Sequence, residues 1–279
     1  MSRAEQGRLT AVPRPPPDQC GIILHPAGHT RSPAMHNAAF AALGLQAEYR
    51  AFDVPPEGLA DAIQSMRERE IRQLAVSIPH KQTVMAHLDE VEPTAEQIGA
   101  VNTITLRENR LVGSNTDWLG AIQALERETT LPGQQAVVLG AGGAARAVVY
   151  ALCERGAEVL VLNRTVERAR DLCQELGAKG FGSPDDLEEI PHSVLVNTTS
   201  VGLSSDESPV RATSLRAHSV VMDAVYEPAV TRLLRDATER GATPIGGKWM
   251  LVYQAAHQLK LWTGLDAPLD VMASAFDED

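Results

Sequence analysis

Residues 136–168, AVVLGAGGAARAVVYALCERGAEVLVLNRTVER, decide how this chain folds. An apolar run from Ala136 to Leu139 has the composition of a short buried strand and ends in a glycine turn. A helical stretch to Glu154 follows, and then a second apolar strand, Glu158 to Leu162. Strand, turn, helix and strand make one βαβ unit, with Gly140, Gly142 and Ala145 at the dinucleotide spacing G-x-G-x-x-[G/A]. Gly140 permits the tight turn, Gly142 lets a pyrophosphate approach the backbone, and Ala145 lets helix and strand pack closely. The N–H groups that open the helix then face the phosphates.

The end of the second strand selects the nucleotide. An NAD-type site would place Asp or Glu there for the ribose 2′-OH. This chain places Asn163, Arg164 and Thr165, with Arg168 one helical turn on. A carboxylate would repel a 2′-phosphate, whereas a guanidinium grips it bidentately and stacks on adenine. The expected cofactor is NADP rather than NAD. Asn163 and Thr165 also fit as caps of the next helix, and a cap and a phosphate site use the same N–H groups.

Outward from this unit, strand and helix patterns alternate along most of the chain. Strands are expected at 20–24, 47–54 and 72–78, a hairpin at 101–115 around Glu108-Asn109, and further strands at 192–197, 219–225 and 242–247. Helices are expected at 32–43, 56–69, 94–99, 118–128, after 165, at 230–240 and, last, at 250–262. The fold class is α/β in two domains with mostly parallel sheets. Residues 1–18 read as a proline-stiffened disordered tail with a faint transit-peptide character. Residues 19–117 read as a substrate-binding and catalytic domain, and 118–247 as a Rossmann-type doubly wound NADP-binding domain. Residues 248–279 form a helical segment that returns to the first domain.

Composition bounds the partners. The chain has 279 residues and a formal charge of −11, which disfavours nucleic acid. No apolar run approaches the ~18 residues that would cross a membrane. Cys20, Cys153 and Cys173 show no metal spacing, so no metal is expected and the usage fits a reducing cytoplasm. The expected partner is a small-molecule substrate, with the protein a monomer or a homodimer.

A nucleotide site alone names no reaction. The strand at 72–78 is stopped by Pro79, which puts Lys81 in a loop at a carboxyl edge, where open α/β sheets bind ligands. The hairpin begins at Asn102 and delivers Asp117 to another element end. A lysine beside a carboxylate favours the ammonium form, which can donate a proton to a carbonyl being reduced. Residues 28–33, GHTRSP, form a hydroxyl-rich loop at a helix start.

The motifs HTRSPAMHNAAF, VSIPHK, IGAVNT, NTD, VLGAGGAARA, NRT, NTTSVG, DAVYEP and MLVYQAAHQLKLWTG occur in that order over roughly residues 20–264. In these the chain resembles the shikimate dehydrogenase family. The resemblance implies reversible NADP-linked reduction of 3-dehydroshikimate to shikimate, a step towards the aromatic amino acids. It implies Lys81 and Asp117 as the proton-transfer pair, and Thr30 and Ser32 as holders of the substrate carboxylate. Ser77, Asn102, Tyr226 and Gln254 match further substrate contacts. Gly140, Ala141, Gly142, Gly143, Ala144, Asn163, Arg164, Thr165 and Arg168 match the NADP site, and Ala224 and Gly247 lie by the nicotinamide. The chain departs from the family's commoner residues at Thr30, Ser77, Ala75, Trp118, Lys248 and Trp249, and two extra indoles near the cleft would reshape substrate access. The alternatives are a quinate or dual quinate/shikimate dehydrogenase and, more distantly, a non-catalytic NADP-binding regulatory module.

Overall fold

Two six-stranded sheets carry the chain in a computed structural model, which describes residues 19–28, 30–69 and 71–278. The expected tail at 1–18 lies outside the described residues. The first sheet contains β1 (Gln19–Leu24), β2 (Glu48–Asp53), β3 (Gln73–Val76), β4 (Glu90–Val91), β5 (Thr103–Arg107) and β6 (Arg110–Ser114), in the order β2-β1-β3-β5-β6-β4. Its first three strands are parallel, and β4 is parallel to β6, while β5 runs antiparallel to both β3 and β6. The sheet is therefore mixed, with the antiparallel pairing confined to β5. The cause is the β5–β6 hairpin, whose two turn residues, Glu108 (φ 50) and Asn109 (φ 63), are both left-handed.

The second sheet is wholly parallel. It contains β7 (Gln135–Leu139), β8 (Glu158–Leu162), β9 (Gly180–Gly182), β10 (Val194–Asn197), β11 (Val220–Asp223) and β12 (Thr243–Ile245), in the order β12-β11-β10-β7-β8-β9. Numbered within the sheet, this is 6-5-4-1-2-3, the doubly wound order of dinucleotide-binding folds. The order reverses at β7, so the turn after β7 lies at the switch point where such folds bind ligands.

Nine α-helices cover the sheets among the described residues: α1 (Ser32–Ala42), α2 (Leu59–Glu68), α3 (Pro93–Ile98), α4 (Asp117–Leu125), α5 (Gly143–Glu154), α6 (Val166–Leu176), α7 (Arg232–Glu239), α8 (Lys248–Thr263) and α9 (Leu269–Asp277). The long helix α8 joins the two cores. Met250 belongs to the core under β7 and α5, whereas Val252, Ala255, Leu259 and Trp262 belong to the core under β1 and α1. This is the expected return of the C-terminal segment to the first domain, and α9 extends it by packing on α1. Helices α4 and α8 cross at Gly120, where a Cβ would stand 2.5 Å from the Met250 carbonyl oxygen and 3.0 Å from Gln254 Cβ.

Candidate active site

Lys81 lies five residues beyond the end of β3, in the turn that Pro79 opens. Three contacts fix that turn. His80, 1% exposed, bonds through Nε2 to the Val54 carbonyl at 2.6 Å, and its backbone N–H donates to the Ser77 carbonyl at 2.9 Å. The Lys81 carbonyl accepts from Val101 N–H at 2.7 Å. With its backbone held on both sides, the lysine places Nζ 2.6 Å from Asp117 Oδ2.

Asp117 opens α4, and its own N–H is taken by the Asn115 side chain at 2.9 Å. Its second oxygen, Oδ1, accepts from Asn102 Nδ2 at 2.8 Å. The Lys81 and Asp117 side chains are 18% and 6% exposed, so the pair is unlike the exposed ion pairs that contribute little. Asn102 Nδ2 also faces Thr116 Oγ1 at 3.0 Å and Gln254 Oε1 at 3.2 Å, three acceptors for two hydrogens. Asn102 Oδ1 accepts from Thr116 N–H at 2.8 Å and from the Thr103 hydroxyl at 2.7 Å. Gln258, one helical turn beyond Gln254, donates to the Asn102 carbonyl and to Thr103 Oγ1 at 3.1 and 2.9 Å. Four expected residues, Lys81, Asp117, Asn102 and Gln254, thus form one hydrogen-bonded cluster. Thr103, Thr116 and Gln258 complete it without having been expected, although Gln258 shares the Gln254 face of a helical pattern at i+4.

A second group gathers Thr30, Ser32 and Tyr226. Ser32 is 3% exposed, and its N–H reaches Thr30 Oγ1 at 3.3 Å. The Tyr226 hydroxyl pairs with the Thr30 side chain, so a loop beyond β11 of one sheet touches the hydroxyl loop beyond β1 of the other. Burial raises the phenol's pKa, helped by Glu227 and opposed by Thr30 and Arg31. Tyr226 also packs edge-on against Phe276 at 5.8 Å. Ser77 is half-buried at the exit of β3.

The loop that carries Ala224 and Tyr226 hangs on Asp223, a fully buried carboxylate that sequence reading missed. It accepts from Asn197 Nδ2 at 2.9 Å, Val225 N–H at 3.0 Å and the Thr231 hydroxyl at 2.7 Å. Burial raises its pKa, and those three bonds oppose the rise. Gly247 abuts the same loop, since a Cβ there would lie 2.6 Å from the Ala224 carbonyl oxygen.

The glycine turn has the room and the free donors that a pyrophosphate requires. Gly140 has φ +113, and a Cβ on it would meet Thr198 Oγ1 at 2.6 Å. Gly142 is exposed, and nothing lies within 4 Å of the position its Cβ would take. Helix α5 starts with no side-chain cap and no acid in its first turn, which leaves its N–H groups for an anion. Half-buried Ala141 and Ala144 flank them, and buried Ala145 packs into the core. Gly143 does something else: its missing Cβ would lie 2.9 Å from Lys81 Cβ, so the turn rests against the lysine stem. Past β8, Asn163 Nδ2 donates to the Thr165 carbonyl at 2.9 Å, and Thr165 precedes α6. Arg164 and Arg168 are exposed and make no ion pair among the described residues. The residues present fit an NADP molecule with its pyrophosphate on α5 and its 2′-phosphate by Arg164 and Arg168.

The two indoles each have packing partners of their own. Trp118 turns edge-on to Tyr150 at 5.6 Å, in the seam of α3, α4 and α5. Trp249 packs against both main cores, with the Arg127 guanidinium 4.1 Å from its ring centre. Lys248 pairs with Asp277 at 2.5 Å.

A doubly wound nucleotide sheet, a second sheet bearing a shielded Lys–Asp pair, and a glycine turn between them define a two-domain, dinucleotide-dependent oxidoreductase. Family models agree along the chain: the shikimate dehydrogenase substrate-binding domain matches residues 22–104, shikimate/quinate 5-dehydrogenase 123–210, and the shikimate 5′-dehydrogenase C-terminal domain 247–275. The chain is 46% identical over 258 residues to the shikimate dehydrogenase (NADP(+)) of Thermococcus kodakarensis, covering 91% of this chain and 94% of that one. A shikimate dehydrogenase crystallised with NADP+ is 39% identical, with a TM-score of 0.89 over 97% of this chain and 98% of the other. The shikimate 5-dehydrogenase of Thermus thermophilus, in complex with NADP(H) and shikimate, is 40% identical, with a TM-score of 0.87 over 92% and 98%. The chain belongs to the shikimate dehydrogenase family.

Proposed function

We propose that this protein is an NADP-dependent shikimate dehydrogenase, which reduces 3-dehydroshikimate to shikimate and runs the reverse oxidation. The observation that carries the reading is the shielded 2.6 Å pair of Lys81 and Asp117 beside the glycine turn of a Rossmann-type sheet. Bound on α5, NADPH would supply the hydride. Lys81 ammonium donates its proton to the substrate oxygen on which negative charge develops, and Asp117 holds that ammonium in place. In the oxidation direction the neutral amine takes the hydroxyl proton. Asn102 keeps Asp117 Oδ1 occupied, so the carboxylate presents Oδ2 to the lysine.

Thr30 and Ser32 hold the substrate carboxylate, with Ser77, Asn102, Tyr226 and Gln254 around the ring. Gly140 to Ala144 and the Asn163–Thr165 turn with Arg168 hold NADP, and Ala224 and Gly247 border the nicotinamide. We assign residues 19–117 to the substrate domain, 118–247 to the NADP domain and 248–279 to the returning segment. Free thiols at Cys20, Cys153 and Cys173 are in keeping with a cytoplasmic enzyme. A spectrophotometric comparison of shikimate and quinate, each with NADP and NAD, tests the reading. Shikimate with NADP is the expected best pair, and quinate with NAD as the best pair would overturn it.

A further inference from the structure

Arg146 lies in the first turns of α5, next to the glycine turn, and nothing in the NADP reading uses it. Its side chain reaches across to the other sheet's side. Nε donates to the Ile98 carbonyl at the C-terminal end of α3, and Nη2 pairs with Glu175 Oε2 at 2.5 Å. The Arg146 side chain is 11% exposed and Ile98 is fully buried, whereas Glu175, on α6 of Arg146's own sheet, is 55% exposed, so the shielded contact is the one that crosses to Ile98. Gly99, with φ +69, ends α3 in the left-handed conformation. A Cβ there would stand 2.5 to 2.9 Å from three atoms of the Arg146 guanidinium, so the guanidinium lies directly on the Gly99 backbone. Ile98, Ala100, Ala147 and Tyr150 form a buried apolar seam around the contact.

The segment so gripped is the one that carries the proton-transfer pair. Val101 N–H holds the Lys81 carbonyl at 2.7 Å, and the Asn102 side chain holds Asp117 Oδ1 at 2.8 Å. On the same helix, Gly143 rests against the Lys81 stem. One turn of α5 therefore presents its N–H groups to the cofactor and fixes residues 98–102 from behind. We infer that Arg146 is a positioning residue, which sets the distance between the cofactor's helix and the Lys81–Asp117 pair by bonding the Ile98 carbonyl. It touches neither substrate nor cofactor and acts through Gly99 to Asn102.

The inference rests on the shikimate dehydrogenase reading, and one set of assays separates the two. Arg146→Met keeps the stem and removes the donors. Its kcat for shikimate oxidation should fall about tenfold or more, because a misplacement of an ångström in reacting groups costs that much. The KM for shikimate and the Kd for NADP, measured by titration of the intact protein, should stay within about threefold of wild type, since the binding groups remain. The pH profile of kcat should shift, because Lys81 and Asp117 no longer share one geometry. Arg146→Lys, which keeps one donor, should fall between Arg146→Met and wild type. A kcat for Arg146→Met equal to wild type, a loss confined to KM and Kd, or an unmoved pH profile overturns the inference. Should Arg146→Met fail to fold by circular dichroism, Arg146→Lys decides: unchanged kcat and an unmoved profile overturn it. Wild-type protein inactive with shikimate and NADP overturns the functional reading first, and this inference with it.

Discussion

Lys81 is held by a carboxylate at its tip, a glycine against its stem and a hydrogen bond at its backbone carbonyl. Replacing it with Ala keeps the backbone bond and the Cβ beside Gly143 and removes the rest of the stem with the amine. Turnover should drop about 10²–10⁴-fold, the usual contribution of general acid–base catalysis, while titration shows NADP binding preserved. A near wild-type rate would exclude Lys81 from proton transfer. Arg164→Ala addresses the nucleotide: affinity for NADP should fall while that for NAD hardly moves, and equal losses would indicate damage to the α6 start instead. His36 gives a pH prediction. It is wholly buried and stacked on Tyr49 at 4.2 Å, with Gln258 only partly offsetting the effect of that burial on its charged form. Burial lowers its pKa from 6.5 to about 3. Between those values the unfolded chain binds the proton and the folded chain does not, so stability falls as pH drops below about 6.5 and is untouched above it. The slope is about 1.4 kcal/mol per pH unit inside that window. His36→Leu should flatten the fall of Tm between neutral and mildly acid pH, and an unchanged slope would assign the acid sensitivity to other groups. Much of the site was legible at this scale because Lys81, Asp117 and Asn102 fall at element ends, which strand stops and the hairpin mark in the sequence. Asp223 was not legible: it lies inside an apolar strand run, and its role depends on Asn197 and Thr231, which only the folded chain brings to it.

At the level of elements, glycines set how closely helices and turns approach. Gly120→Ala would press a Cβ onto the Met250 carbonyl and the Gln254 side chain, forcing α4 and α8 apart. Overpacking of this kind costs about 1–3 kcal/mol. Because α4 starts with Asp117 and α8 carries Gln254, the variant should lose turnover as well as Tm, by steady-state kinetics and thermal unfolding. The βαβ unit was readable because strand, turn and helix each have their own period in sequence. The strands β4 and β9 were not, since two or three residues carry no period. Helix α9 falls inside the helical segment expected at 248–279, but its break from α8 was not drawn, although Met272, Ala275 and Phe276 repeat at helical spacing. The mixed order of the first sheet was hidden for a different reason: a hairpin is visible locally, but its partner strand β3 is not.

Across the whole molecule, α8 supplies side chains to the cores beneath both sheets, and Trp249 packs against both. Removing either core from around this helix would expose Val252 and Leu259 on one side or Met250 on the other, at about 1.5–3 kcal/mol for each large apolar side chain. The Arg146 contact with Ile98 and the Tyr226 contact with Thr30 join the two sheets at two further places. Partial unfolding is therefore costly, and the two units should melt together. Equilibrium denaturation followed by far-ultraviolet circular dichroism and by tryptophan fluorescence should give coincident single transitions. Trp118 and Trp249 report the seams and Trp262 the first core, so two separated transitions would show that the units unfold independently. Saturating NADP extends the test. A ligand that binds only the native state stabilises it by about 2.7 kcal/mol at a hundred times its Kd. If the units are coupled, NADP should move the Trp262 signal of the substrate-side core together with the rest, and a shift confined to the nucleotide-binding unit would contradict the coupling.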